Sequence, residues 1–105
     1  MNNSEIAKVL REIAGYLEMQ EELVFKIKAY EKAAQTIDGL KESVADIYSK
    51  GGVGALIEIP GVGQGIAERI EELLKTGKLK YYEQLKKKAP VDLSELLAVE
   101  GLGPK

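Results

Sequence analysis

The chain has no cysteine, no histidine and no tryptophan, and only one phenylalanine. Without cysteine there are no disulfides and no thiol nucleophiles. Without cysteine and histidine together, the usual zinc sites and imidazole acid–base chemistry are excluded as well. With so few large rings, any core must be built mainly from Ile, Leu, Val and Ala. No apolar run approaches the roughly 18–20 residues that span a bilayer, and no signal-peptide pattern is visible. The expected setting is the cytoplasm, with no membrane partner.

What is present is a charged, helix-patterned chain of 105 residues, 45% of them apolar, with a formal net charge of −2. That length predicts one domain. Ser4 is expected to cap a first helix that turns Ile6, Val9, Leu10, Ile13 and Leu17 to one face. The polar residues 18–22 break the pattern. A second helix is expected from about Glu22 to Ile37, with Val24, Ile27, Ala33, Ala34 and Ile37 inward. Its small residues Ala29, Ala33 and Ala34 would permit close helix contact. A short third helix, about Lys41 to Ser49, ends at Gly51-Gly52. Residues 53–59 lead through a short helix into Pro60, and further helices follow over 66–74 and from Leu79 to about Lys88. No stretch alternates with period two. The fold class is all-α, a compact bundle of four main helices.

The stretch 56–77 organises the rest. An apolar approach meets Pro60-Gly61-Val62-Gly63, and Ile66, Ala67, Ile70, Leu73 and Leu74 then recur at helical spacing until Gly77. Val62 is expected to pin the turn into the core. The backbone N–H groups of Gly63, Gln64 and Gly65 then stand at the positive end of a helix, where an anion is stabilised. This pattern resembles a helix-hairpin-helix motif, a sequence-independent clamp on the DNA backbone. Residues 96–105 repeat residues 56–65 at an offset of 40, matching Gly61 to Gly101 and Gly63 to Gly103. The second copy stops where its helix should begin, so the chain is expected to be a piece of a longer protein. It divides into a small domain over 1–88 and, over 89–105, a linker helix with the truncated start of a second hairpin.

Adjacent carboxylates such as Glu71-Glu72 point in different directions on a helix and make no catalytic pair. The glycine turn lacks the Gly-Lys-Ser/Thr ending of a phosphate loop and the surrounding strands of a dinucleotide fingerprint. Residues 75–88 hold six lysines against one glutamate, directly after the hairpin's second helix. The acidic residues, Glu12 among them, are expected on solvent faces.

Taken in order, Phe25-Lys-Ile-Lys-Ala-Tyr-Glu-Lys-Ala-Ala34, Ile59-Pro-Gly-Val-Gly63, Ile66-Ala-Glu-Arg-Ile70 and Lys75-Thr-Gly-Lys-Leu79 resemble the N-terminal small domain of family X DNA polymerases. The nearest likeness is to the bacterial and archaeal members with a C-terminal phosphoesterase (PHP) domain. The resemblance implies a DNA-repair protein that grips gapped or nicked DNA and its 5′-phosphate without reading sequence. The parent would be a nucleotidyltransferase acting in gap filling and base excision repair, and nucleoid-associated. The resemblance places Lys26 and Tyr30 in the phosphate pocket and Phe25 where a ring stacks on a template base. Hairpin residues Gly61, Gly63, Gln64 and Gly65, with Lys28, Arg69, Lys75, Lys78 and Lys80, are the other expected DNA contacts. The position of the family's Schiff-base lysine is filled by Arg69, which stays protonated and cannot form an imine. Two further pocket lysines are replaced by Ile57 and Gly65. No catalytic residue is therefore assigned, and a 5′-deoxyribose phosphate lyase would have to use Lys26 or Lys28. The backbone carbonyls of Ile57, Ile59 and Val62 are expected to suit Na+ or K+. No cofactor is otherwise required, and Mg2+ or Mn2+ would belong to catalytic domains outside this chain. A monomer is expected. The alternative is a protein-interaction module on the same scaffold.

Overall fold

A computed structural model describes residues 1–88. The expected linker helix and second hairpin at 89–105 lie outside the described residues. Those described form five α-helices and no strand: α1 (Asn3–Met19), α2 (Val24–Asp38), α3 (Val44–Ile57), α4 (Gln64–Thr76) and α5 (Lys80–Lys88). The all-α class is as expected, with α1 and α2 making the most extensive packing and α5 closing over α1.

The start of α1 is set by Asn2 rather than Ser4. Asn2 accepts from the Glu5 N–H at 2.8 Å, and the Glu5 carboxylate accepts from the Asn2 N–H at 2.9 Å. This reciprocal capping box satisfies two donors that the first turn would otherwise leave open. The next residue, Asn3, reaches across the fold. Its side-chain oxygen accepts from the Val44 N–H at 2.8 Å and its amide donates to the Glu42 carbonyl at 2.9 Å. The third helix thus begins at Val44 and not Lys41, because a residue on α1 caps it.

The core is aliphatic, as composition requires: Ile6, Leu10, Ile13, Leu17, Ala33, Ala34, Ile37, Leu56 and Ile70 are all buried. Three expectations fail here. Val24 is 63% exposed, because the buried face of α2 runs through Ile27, Tyr30, Ala33, Ala34 and Ile37 and leaves Val24, in the first turn, at its solvent edge. Ala29 is likewise exposed and mediates no close helix contact. Glu12, expected in solvent, is 2% exposed beneath α5, where its carboxylate accepts from the Tyr82 hydroxyl. Its other oxygen has no hydrogen-bond partner.

The glycine pair expected to end α3 instead bends it. Gly52 has φ 65° and ψ −154°, a region that a side chain strongly disfavours. The helix continues past this kink to Ile57, with only Val44 and Leu56 buried along it. Before the kink, the Tyr48 hydroxyl donates to Glu71 of α4 at 2.6 Å. That bond is the main cause holding the Glu71 carboxyl below its ordinary value, with Lys75 adding to it. The sign follows: this tie supports the fold above the ordinary glutamate range and is lost as pH falls through the lowered value.

Among the described residues, the α1–α2 turn is the one place where a side chain sits in left-handed backbone. Glu21 has φ 59°, a conformation that costs a non-glycine residue about 1–2 kcal/mol. Leu23 follows as an N-cap with no side-chain cap bond, where Ser or Asp in its place would supply about 1 kcal/mol. Glu21→Gly is expected to stabilise the domain by about 0.5–1 kcal/mol once glycine's extra unfolded entropy is subtracted. Urea unfolding should show the midpoint raised with m unchanged.

Candidate functional site

The hairpin between α3 and α4 is fastened from below. Leu56, Ile59 and Val62 are buried, and the Val62 N–H donates to the Ile59 carbonyl at 3.0 Å. Val62 is thus the pin that the sequence implied. Gly61 has φ 87°, and a Cβ there would stand 3.2 Å from Cγ of Lys32 and 3.7 Å from the Ala33 nitrogen. Glycine at 61 is therefore demanded by the fold itself. Gly63 and Gly65 differ, because a Cβ at either would meet nothing within 4 Å. Gly63 is the N-cap of α4 with extended backbone, and no side chain caps that helix. The Gln64 side chain turns instead to Glu68, donating at 2.7 Å. The first amides of α4 are thus directed outward past two positions with no side chain in the way.

Beside the hairpin the structure brings together three residues distant in sequence. Arg69 of α4 lays its guanidinium 3.9 Å from the ring centre of Tyr81 and donates through Nε to the Tyr30 hydroxyl at 3.4 Å. The Tyr30 and Tyr81 rings lie nearly parallel, 6.5 Å apart. An Arg69–Glu72 pair on the same helix does not form: the Glu72 carboxylate accepts the Lys80 N–H at 2.9 Å and so caps α5. That cap, with Thr76 bonded to both Lys78 backbone groups, fixes where α5 starts and hence where Tyr81 meets Arg69. Burial, and after it the neighbouring Tyr30, push the Tyr81 hydroxyl above its ordinary value. Tyr30 is 5% exposed, so it serves as a core residue whose hydroxyl reaches the cluster. Lys26 lies one turn from Tyr30 on α2 and is 3.9 Å from Glu22.

Phe25 is 72% exposed and contributes nothing to the core. Helical spacing sets Phe25 and Lys32 on one stripe of α2, and the Lys32 stem borders Gly61 of the hairpin. The other expected contacts divide. Lys78 and Lys80 are exposed after α4, whereas Lys75 is drawn to Glu71 at 3.5 Å, whose charge raises its pKa. Lys28 lies between Phe25 and Lys32 on that stripe by helical spacing and also borders a groove with Glu18, Glu21 and Glu31. Ile57 is partly exposed on the hairpin approach.

Sequence reading missed two residues of this constellation. Lys32 falls within the 25–34 motif but has no role assigned from sequence, and only the fold shows its stem against Gly61. Tyr81 was read as part of a lysine-rich run, and the aromatic pair within that run was the available signal.

A hairpin pinned by Val62 and opening an uncapped helix, on an all-α scaffold, defines a class: the chain belongs to the helix-hairpin-helix domain family, which matches residues 1–79. Over all 105 residues it is 30% identical to DNA polymerase/3′-5′ exonuclease PolX of Bacillus subtilis (strain 168). The chain spans 17% of that relative's length. The likeness of its motifs to the helix-hairpin-helix domain of a family X polymerase therefore stands on both matches. Among the described residues, no helix is long and apolar enough to cross a membrane.

Proposed function

We propose that this domain binds the DNA backbone without sequence readout, through the amides at 63–65 and the neighbouring Lys32, with Lys78 and Lys80 reaching the backbone from the other end of α4, within a family X repair polymerase. The observation that carries this reading is the pair of glycines at 63 and 65, which neither backbone conformation nor packing requires. Their lack of a side chain is explained by the close approach of another surface. Backbone contacts of this kind position a duplex but do not read its bases.

The finer part of the proposal concerns gapped DNA. Arg69, held by Tyr30 and Tyr81, and Lys26 one turn from Tyr30 form a cationic flank suited to a 5′-phosphate. A guanidinium presents a fixed fork to such an oxyanion. Phe25 would stack on an exposed base next to the Lys32 stripe. No lyase step is assigned, because Arg69 cannot form an imine. The carbonyls of Ile57, Ile59 and Val62 are neutral oxygen donors that suit Na+ or K+ at the hairpin, although the Ile59 oxygen already accepts the Val62 N–H.

Fluorescence anisotropy on one-nucleotide-gapped DNA, with and without the 5′-phosphate and across a salt series, tests both parts. Affinity should fall steeply with salt. The phosphorylated gap should bind more tightly, and Arg69→Ala should reduce that preference several-fold while leaving binding to the unphosphorylated gap nearly intact. Absence of binding at low salt would end the reading.

A further inference from the structure

The α1–α2 corner carries a surface that the hairpin reading does not use. Leu23, Val24 and Phe25 are 60%, 63% and 72% exposed in succession, and Met19 is 37% exposed at the end of α1. Phe25 belongs to the Lys32 stripe, but Val24 faces elsewhere, into a groove floored by Ile27. The rim of that groove is Glu18, Glu21, Glu22 and Glu31, against Lys28. Four carboxylates thus surround an apolar floor with one ammonium among them, and Lys26 is close to only one of the four, Glu22.

This combination selects its occupant. Phosphate-rich polymers and anionic lipid surfaces are repelled by the rim. A bare cation has no use for Val24 and Ile27. A segment presenting apolar side chains between lysines or arginines satisfies both the floor and the rim. From Val24 to Glu31 the groove follows two turns of α2, about 10 Å at 1.5 Å per residue. That length takes two apolar anchors one helical turn apart.

We infer that this groove docks a basic amphipathic helix of a protein partner, its apolar face on Val24 and Ile27 and its lysines or arginines on the glutamate rim. The groove does not include the hairpin turn, but its rim residue Glu22 pairs with Lys26, so the partner and the proposed nucleic-acid ligand would meet along α2.

The test is an amide NMR titration of the 105-residue chain with a short synthetic leucine–lysine helix, leucines at i, i+3, i+4 and i+7. A polylysine peptide of equal length is the control. Shifts should concentrate in residues 18–31, and polylysine should bind much more weakly. Val24→Asp should weaken the leucine–lysine peptide by about tenfold, the scale of a lost apolar anchor. That substitution separates the two sources of binding, because it removes the anchor while adding a charge that favours the peptide. An acidic side chain also suits the first turn of α2, so the variant keeps its fold. Glu18→Lys with Glu31→Lys should weaken binding by a similar factor. Shifts centred elsewhere, polylysine binding equally well, or Val24→Asp binding no more weakly than the parent would overturn the proposal. So would movement of the same amides with protein concentration alone, which would give the groove to a second copy of the chain.

Discussion

Gly63→Glu should lower affinity for gapped DNA by at least about tenfold while leaving the melting temperature unchanged or slightly raised. The two halves of this expectation come from one feature. Gly63 has extended backbone, φ −93° and ψ −175°, which any residue adopts, and a Cβ there enters open space. The folded chain therefore loses nothing by the substitution. A carboxylate placed at the N-cap of α4 interacts favourably with the helix dipole and can accept its open amides. Those amides are the ones proposed to hold a phosphate, so the stabilising group competes with the ligand and also repels it. Calorimetry beside anisotropy separates the halves. A large fall in melting temperature would mean that Gly63 is structural, and unchanged affinity would remove the hairpin from the interface.

Leu56→Ala should destabilise the domain by about 2–5 kcal/mol, the range for truncating a fully buried leucine. The neighbouring Ile57→Ala should cost less than about 1 kcal/mol, since that side chain is 37% exposed. A small domain has only about 5–15 kcal/mol in total, so the first change consumes a large share. The effect is concentrated because α3 buries only Val44 and Leu56, and Leu56 adjoins the turn held by Ile59 and Val62. Urea unfolding followed by circular dichroism gives both values. Similar effects at 56 and 57 would show that the hairpin is not anchored through Leu56.

The parts of this molecule that were legible in the sequence are those written locally. The hairpin can be read because its glycines, its apolar pin and the following helical period all fall within 56–77. The buried stripe of α1 was readable for the same reason. What escaped depends on residues that meet only after folding. Arg69 finds Tyr30 across 39 positions, Asn3 caps a helix 41 positions away, and Glu12 meets Tyr82 across 70. Periodicity places each of these on a face but cannot say which partner stands opposite. Val24 was misread for a different reason. An apolar residue at the first position of a helix extends the pattern on paper, but in the first turn of α2 it stands at the solvent edge of the buried face.

The buried carboxylate of Glu12 has a bearing on where this domain can be cut. The family match ends at residue 79, yet Tyr82, whose hydroxyl meets that carboxylate, and the buried Leu85 both lie beyond it on α5. A fragment trimmed to the matched boundary would open Glu12 and the apolar surface around it to water, so the cooperative unit is longer than the recurring sequence unit. Exchanges of this domain between homologous proteins should therefore carry α1 and α5 together, with the splice placed after Lys88.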